Sequence, residues 1–142
     1  MLTTRITRTE DIPGAQPLDG LRVLIVEDEA LVALDLEMTV RGEGGTVVGP
    51  YGRLGAAMRA ADEATFDLAV LDIMLGREEV YPLARRLKER GVPFLFHSGH
   101  GDPGALRAEF PKALFCPKPC APQVIVDTLG MLAPEEPAAE GA

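Results

Sequence analysis

Val23-Leu24-Ile25-Val26, followed at once by Glu27-Asp28-Glu29, is the stretch on which the fold turns. Its apolar residues are continuous rather than alternating, as expected for a strand covered on both faces. Four more short runs share the pattern: Thr46-Val47-Val48, Leu68-Ala69-Val70-Leu71, Phe94-Leu95-Phe96 and Ala113-Leu114-Phe115-Cys116. Amphipathic stretches separate them. The clearest runs from Glu79 to Arg90, where Val80, Leu83, Ala84 and Leu87 fall at helical spacing and Arg85, Arg86, Lys88, Glu89 and Arg90 form the wet face. Gly91 and Pro93 end it.

Ala30 to Arg41 repeats the pattern with Leu31, Leu34 and Met38 as its apolar stripe, and stops at Gly42. Leu54, Ala57, Met58 and Ala61 predict a smaller helix; Val124, Ile125, Thr128, Leu129 and Leu132 predict the last. Between Asp102 and Phe110, Pro103 and Gly104 leave only a turn or two, expected to be the most mobile element. Five strands alternating with five helices argue for right-handed crossovers and a doubly wound parallel α/β sheet.

The chain has 142 residues, 46% hydrophobic and 25% charged, enough for one domain with a core that needs no disulfide or structural metal. Residues 1–19 and the stretch 134–142, Pro-Glu-Glu-Pro-Ala-Ala-Glu-Gly-Ala, lack periodicity and are expected to be tails around a folded unit at 20–133. A net charge of −8 repels a phosphate backbone, which argues against nucleic acid as a partner. No apolar run approaches the roughly 20 residues of a membrane span, and the first residues lack signal-peptide order, so a cytoplasmic location is expected. Cys116 and Cys120 have no partners at metal-ligand spacing and are expected to be reduced, with Cys116 in the core.

In doubly wound sheets the site lies beyond the carboxyl ends of the strands. There the sequence places Glu27, Asp28 and Glu29 after the first strand, Asp72 after the third, Ser98 after the fourth and Lys118 after the fifth. Acids gathered on one rim repel each other by about 4 kcal/mol per pair at ~4 Å, a cost that a divalent cation removes. Oxygen-only ligation from a few carboxylates suits Mg²⁺. A carboxylate beside such an ion can attack phosphorus, with Lys118 as a point charge and the Ser98 hydroxyl as a donor to the phosphoryl oxygens. Ser98 lies in no Gly-x-Ser-x-Gly setting, so it is not read as a hydrolase nucleophile.

The order Glu27-Asp28, Asp72, Ser98, Lys118 at the ends of strands one, three, four and five resembles the receiver domain of two-component response regulators, over about residues 21–132. Val-Leu-Ile-Val-Glu27-Asp28-Glu29 is similar to that family's acidic pair, and Leu71-Asp72-Ile73-Met74 to its phosphoacceptor strand. Phe96-His97-Ser98-Gly99 is similar to its hydroxyl position, and Pro117-Lys118-Pro119 to its lysine before proline. The resemblance implies a flavodoxin-like (βα)5 fold with strand order 2-1-3-4-5. It also implies that Asp72 accepts a phosphoryl group from a histidine kinase or phosphotransfer protein. Asp28 would bind Mg²⁺ directly, Glu27 mostly through water, and Asp72 and the main-chain carbonyl of Met74 would complete the protein ligands. Ser98 and Phe115 occupy the switch positions, and Lys118-Pro119 is a candidate cis peptide. Phe115 lacks a phenolic hydroxyl to reward an outward pose, so a buried ring is expected.

Two departures stand out. The family usually carries proline where Gly76 stands, which implies a freer loop over Gly76-Arg77-Glu78-Glu79. The segment Pro93 to His100 resembles a single-domain subgroup with Phe-Ala-Thr-Gly at this place, His97 and Ser98 replacing Ala and Thr. His100 falls at the mouth of the site. With no output domain after the fifth helix, output is expected through protein contact on the surface of the fourth helix, fifth strand and fifth helix, with a homodimer possible.

Blander readings exist for each part. Asp28 and Asp72 could merely cap the helices that follow. Ser98 could hold a turn, His100 could be a solvated loop residue, and His97 has no assigned role. Gly42-Glu43-Gly44-Gly45-Thr46 lacks the lysine and spacing of a nucleotide-binding loop and reads as a turn. Two rival functions accompany the signalling module, whose own chemistry would be slow self-dephosphorylation rather than turnover of a substrate. One is a pseudo-receiver, which an altered acid pair or missing lysine would signal. The other is an aspartate-nucleophile phosphohydrolase, which wants Asp-x-Asp after its first strand where this chain has Glu27-Asp28-Glu29.

Overall fold

Along β1 (Arg22–Val26) successive side chains point to opposite sides: Leu24 and Val26 enter one core, Val23 and Ile25 the other. The computed structural model that gives this picture describes residues 16–135. The chain continues through α1 (Ala30–Gly42), β2 (Thr46–Tyr51), α2 (Leu54–Glu63), β3 (Leu68–Leu71), β4 (Met74–Leu75), β5 (Glu78–Glu79) and α3 (Tyr81–Glu89). It ends with β6 (Phe94–Ser98), α4 (Pro103–Glu109), β7 (Leu114–Pro117) and α5 (Pro122–Leu132). Five strands form a parallel sheet in the order β2-β1-β3-β6-β7. This is the predicted flavodoxin-like order 2-1-3-4-5 once the small antiparallel pair β4–β5 is set aside.

Helices cover both faces. Leu36 and Val40 of α1 pack with Ile125, Val126 and Leu129 of α5 on the side of Val23, Ile25, Leu68, Val70 and Leu95. On the opposite side α2, α3 and α4 contribute Ala57, Leu83, Leu87 and Leu106 to a core with Leu24, Leu71, Phe94 and Phe96. Each fully buried aliphatic or aromatic side chain here stabilises the fold by about 1.5–3 kcal/mol. The rings of Phe94, Phe96 and Phe110 meet edge to face with centroids 5.3–5.7 Å apart, which fixes β6 against the helical layer.

Several expectations need correction. In α1 the buried residues are Ala33, Leu36 and Val40, whereas Leu31, Leu34 and Met38 are 82%, 50% and 64% exposed. The helix is apolar nearly all round, so helical spacing alone selected the wrong stripe. In α5 the exposed Val124 gives way to Val126. Helix α3 begins at Tyr81, because Glu79 is paired in β5 and Pro82 sits in the first turn. The edge strand β2 is only half-buried and runs on to Tyr51 through an irregular step with a cis Gly49-Pro50 bond. Gly49 has φ +102, and a Cβ there would lie 2.9 Å from the Ile25 carbonyl oxygen, so only glycine fits.

Leu18, assigned to the first tail, is fully buried, and its amide donates to Glu43 O at 2.9 Å. Residues 1–15 of that tail and 136–142 of the other lie outside the described residues. Lys118-Pro119 is cis, as expected. Cys116 is buried, and both cysteines are free thiols. The wet face of α3 latches its neighbours: Arg86 and Arg90 pair with Asp62 at 2.5 and 2.7 Å, and Arg85 with Glu109 at 2.6 Å. Among the described residues no helix is long and apolar enough to cross a membrane.

Candidate functional site

The strand order reverses at β1 and β3, and at such a point the loops leaving the two strands part to opposite faces and open a crevice. The ladder is extended on both sides of it. Tyr51 O accepts from the Glu27 amide at 2.9 Å, and Val26 O accepts from the Asp72 amide at 2.9 Å. On the far side the Lys118 amide donates to Ser98 O at 3.1 Å. Regular backbone pairing thus delivers Glu27, Asp72, Ser98 and Lys118 to one rim.

There the Lys118 ammonium touches three acids. Its Nζ lies 2.9 Å from Glu27 Oε1, 3.0 Å from Glu29 Oε1 and 3.0 Å from Asp72 Oδ2. Glu27 and Asp72 are only 3% and 4% exposed. Burial pushes the Glu27 carboxyl up to about 7, reinforced by the neighbouring Asp72 carboxyl. Burial also acts to raise Asp72, but the neighbouring Glu27, Lys118 and Ser98 side chains outweigh it and hold that carboxyl below its usual value. The two carboxyls are coupled, and their environments push them in opposite directions, Glu27 up and Asp72 down. The three acids around it hold the Lys118 amine well above its usual value against the effect of burial.

The donor set fits a hard divalent cation. Glu27, Asp28, Glu29 and Asp72 can each present an oxygen so that all lie within 4.8 Å of one another. Asp72 Oδ1 is buried without a hydrogen-bonding partner, and Glu27 Oε1, though beside the ammonium, is off the line of a hydrogen bond. One ammonium cannot satisfy this many carboxylate oxygens, and unpaired buried charge is costly.

Neither acid caps a helix. The N-cap of α1 is Glu29, with no side-chain cap bond, and Asp28 instead reaches across to the β4–β5 turn, where its Oδ2 accepts from the Gly76 amide at 2.9 Å. Asp72 spends its Oδ2 on Lys118. Ser98 is fully buried, and its hydroxyl accepts from the His100 amide at 3.1 Å, so it holds a turn and also acts on Asp72. Met74 opens β4 and pairs with Glu79. His100 is exposed; His97 is buried, and its imidazole is held below the usual value first by burial and then by the Lys118 ammonium.

Phe115 departs from expectation: it is half-buried and packs against the core from the cleft lined by Leu106 and Phe110. The interior behind it is already filled by the Phe94–Phe96–Phe110 rings. Two contributors escaped the sequence reading. Glu29 was noted at the rim but not as a partner of Lys118. Gly76 does not free its loop: the loop is a hairpin turn tied to Asp28, and a backbone amide where proline is usual is the signal for it.

No family profile matches the chain. The chain is 33% identical over 84 residues to the transcriptional regulatory protein PdtaR of Mycobacterium tuberculosis, an alignment covering 59% of this chain and 40% of that protein. It is 30% identical over 87 residues to the uncharacterized transcriptional regulatory protein YbdJ of Bacillus subtilis, covering 60% and 38%. It therefore spans about 40% of the length of the curated relatives it matches. Among solved structures it resembles the signal receiver domain of a modulated diguanylate cyclase from Desulfovibrio desulfuricans, at 30% identity and TM-score 0.70 over 80% of this chain and 94% of that one. The receiver domain of HemR from Leptospira biflexa gives 28% identity and TM-score 0.69 over 79% and 93%. A CheY-like receiver from Methanospirillum hungatei, at 22% identity and TM-score 0.70 over 80% and 92%, shares the fold. With the sheet order, the acidic rim and near-complete coverage of a receiver in agreement, the chain belongs to the response regulator receiver domain family.

Proposed function

We propose that residues 20–133 form a phosphoacceptor module of a two-component relay and that Asp72 is the residue phosphorylated. The observation that carries this reading is the state of Asp72: a buried, ionised carboxylate with one oxygen on Lys118 and the other without a donor. Its carboxylate attacks the phosphorus of a phosphohistidine on a histidine kinase or phosphotransfer protein. A P–O bond forms, the P–N bond breaks, and the electron pair leaves with the donor imidazole, which takes up a proton.

Lys118 neutralises the phosphoryl oxygens once Asp72 is esterified, moving from carboxylate to phosphoryl oxygen with little displacement. Ser98, one strand away, donates its hydroxyl to another, giving up its role as acceptor for the His100 amide. Asp28, Asp72, the Met74 carbonyl and, mostly through water, Glu27 would hold Mg²⁺. The ion supplies charge neutralisation at the phosphoryl oxygens. Movement of Ser98 leaves space that the half-buried Phe115 ring fills, which changes the surface of α4, β7 and α5 read by a downstream protein or a second copy. The module acts in the cytoplasm, with slow self-dephosphorylation as its only chemistry.

Incubation with Mg²⁺ and acetyl phosphate adds one phosphoryl mass to the wild type and none to Asp72→Ala; beryllofluoride shifts amides along β6, β7 and α4 only in the wild type. An unmodified wild type, or equal modification of Asp72→Ala, overturns the proposal.

A further inference from the structure

Asp28 is, with Glu29, one of the two exposed members of the acidic cluster, and a side chain in water samples several rotamers unless something holds it. What holds it is a backbone group from the far side of the crevice: the Gly76 amide donates to Oδ2 at 2.9 Å, across 48 residues of sequence. Met74 pairs with Glu79 and Leu75 with Glu78, so Gly76-Arg77 is a two-residue hairpin turn. Gly76 has φ +66, and no non-glycine residue described has a positive φ, which makes this a type II′ turn with glycine at its first central position. An added Cβ at Gly76 would meet nothing within 4 Å, so space does not require glycine here. Backbone conformation does, and proline could neither take this φ nor supply the donor.

We propose that the Gly76 amide is a positioning group for cation capture: it pins Asp28 Oδ2 and so fixes a carboxylate that can present an oxygen within 4.8 Å of oxygens of Glu27, Glu29 and Asp72. The inference rests on the reading of the acidic rim as a cation site. Hydrogen bonds that orient a metal-binding carboxylate typically contribute about 10–100-fold to metal affinity. The hairpin β4–β5 follows Asp72 directly, so the same bond couples the loop after β3 to the loop after β1. Cation binding then draws on both loops already in register.

The test replaces the peptide amide of Gly76 by an ester in the full chain, through ligation with glycolate at that position, which deletes the N–H and keeps every side chain. Mg²⁺ is titrated and read from ¹H–¹⁵N shifts. The ester chain is expected to bind Mg²⁺ about tenfold more weakly, with its Mg²⁺-free unfolding midpoint nearly unchanged. The ester should add nothing in an Asp28→Ala background. Equal Mg²⁺ affinity of ester and wild type overturns the inference while leaving the cation site standing. A wild type without Mg²⁺-dependent shifts at Asp28 and Asp72 overturns the site reading and this inference with it. Amide exchange tests the bond without the ester: the Gly76 amide is expected to be protected in the wild type and unprotected in Asp28→Ala, and fast exchange in the wild type overturns it.

Discussion

Lys118 Nζ and Asp72 Oδ2 lie 3.0 Å apart although 46 residues separate them, and the same ammonium also serves Glu27 and Glu29. A single cation facing three acids is an under-neutralised arrangement. Its stability depends on the proton held by Glu27, or on a second cation. That imbalance makes the site sensitive to its medium.

Removing the ammonium exposes the imbalance. Loss of one partner from a buried ion pair costs about 3–5 kcal/mol; with the Lys118 side chain 18% exposed, we predict about 2–4 kcal/mol for Lys118→Ala in Mg²⁺-free urea unfolding. Millimolar Mg²⁺ should restore part of that loss, because it neutralises the same oxygens. A change below about 0.5 kcal/mol, as at an ordinary surface position, would show that Lys118 is not the counter-charge of the acids.

The pH dependence has a defined sign. The Glu27 carboxyl titrates near 7 in the fold against an ordinary value of 4.5. The native state therefore holds a proton that the unfolded chain releases, and this contribution to stability is present below pH 4.5 and is lost as pH rises through about 7. In Mg²⁺-free buffer the unfolding free energy should fall on the order of 2 kcal/mol between pH 5 and pH 8. Glu27→Gln should flatten that fall, and Mg²⁺, which favours the ionised form, should reverse it. A wild-type profile that superposes on Glu27→Gln defeats the assignment.

The five sheet strands and the rim residues were legible because they rest on short-range patterns: continuous apolar runs, four of them followed within two residues by a polar rim residue. Which side of α1 faces inward was not, since Leu31, Leu34 and Met38 compete with Ala33, Leu36 and Val40 at the same spacing. The β4–β5 pair has two residues per strand, too few for a period, and its second strand is two exposed glutamates. Leu18 is an isolated apolar residue between Pro17 and Asp19, with no periodic partner to announce its burial. Side-chain types placed Asp72, Lys118 and Ser98 on the rim, but the Gly76 bond to Asp28 comes from a backbone amide, which carries no side-chain signature.

Leu18 offers a check on where the folded unit begins. It is fully buried with Leu21, Val40 and Leu68, and the turn around it is tied down by the Gln16 amide donating to Asp19 Oδ2 at 2.9 Å. We predict that Leu18→Ala costs about 2–4 kcal/mol, as for other buried leucines, whereas a solvated tail residue would cost nothing measurable. Equilibrium urea unfolding of the two chains decides between them.

The exposed side of α1 supplies the complementary test. Leu31 and Met38 are 82% and 64% exposed, whereas Leu36 on the opposite side is 4% exposed and packed in the core. Replacing both Leu31 and Met38 by glutamine removes almost no buried contact, so the unfolding free energy should stay within about 0.5 kcal/mol of wild type. Leu36→Ala leaves a cavity beneath the helix and should cost about 2–5 kcal/mol. All the strongly exposed large apolar side chains among the described residues, Leu31, Leu34, Met38, Val124 and Met131, belong to α1 and α5. The double glutamine chain should therefore also bind less of a hydrophobic dye than wild type. Were it instead to lose several kcal/mol while Leu36→Ala stayed stable, α1 would have to be rotated by about half a turn, and the inner side of the helix would be the one first read from the spacing.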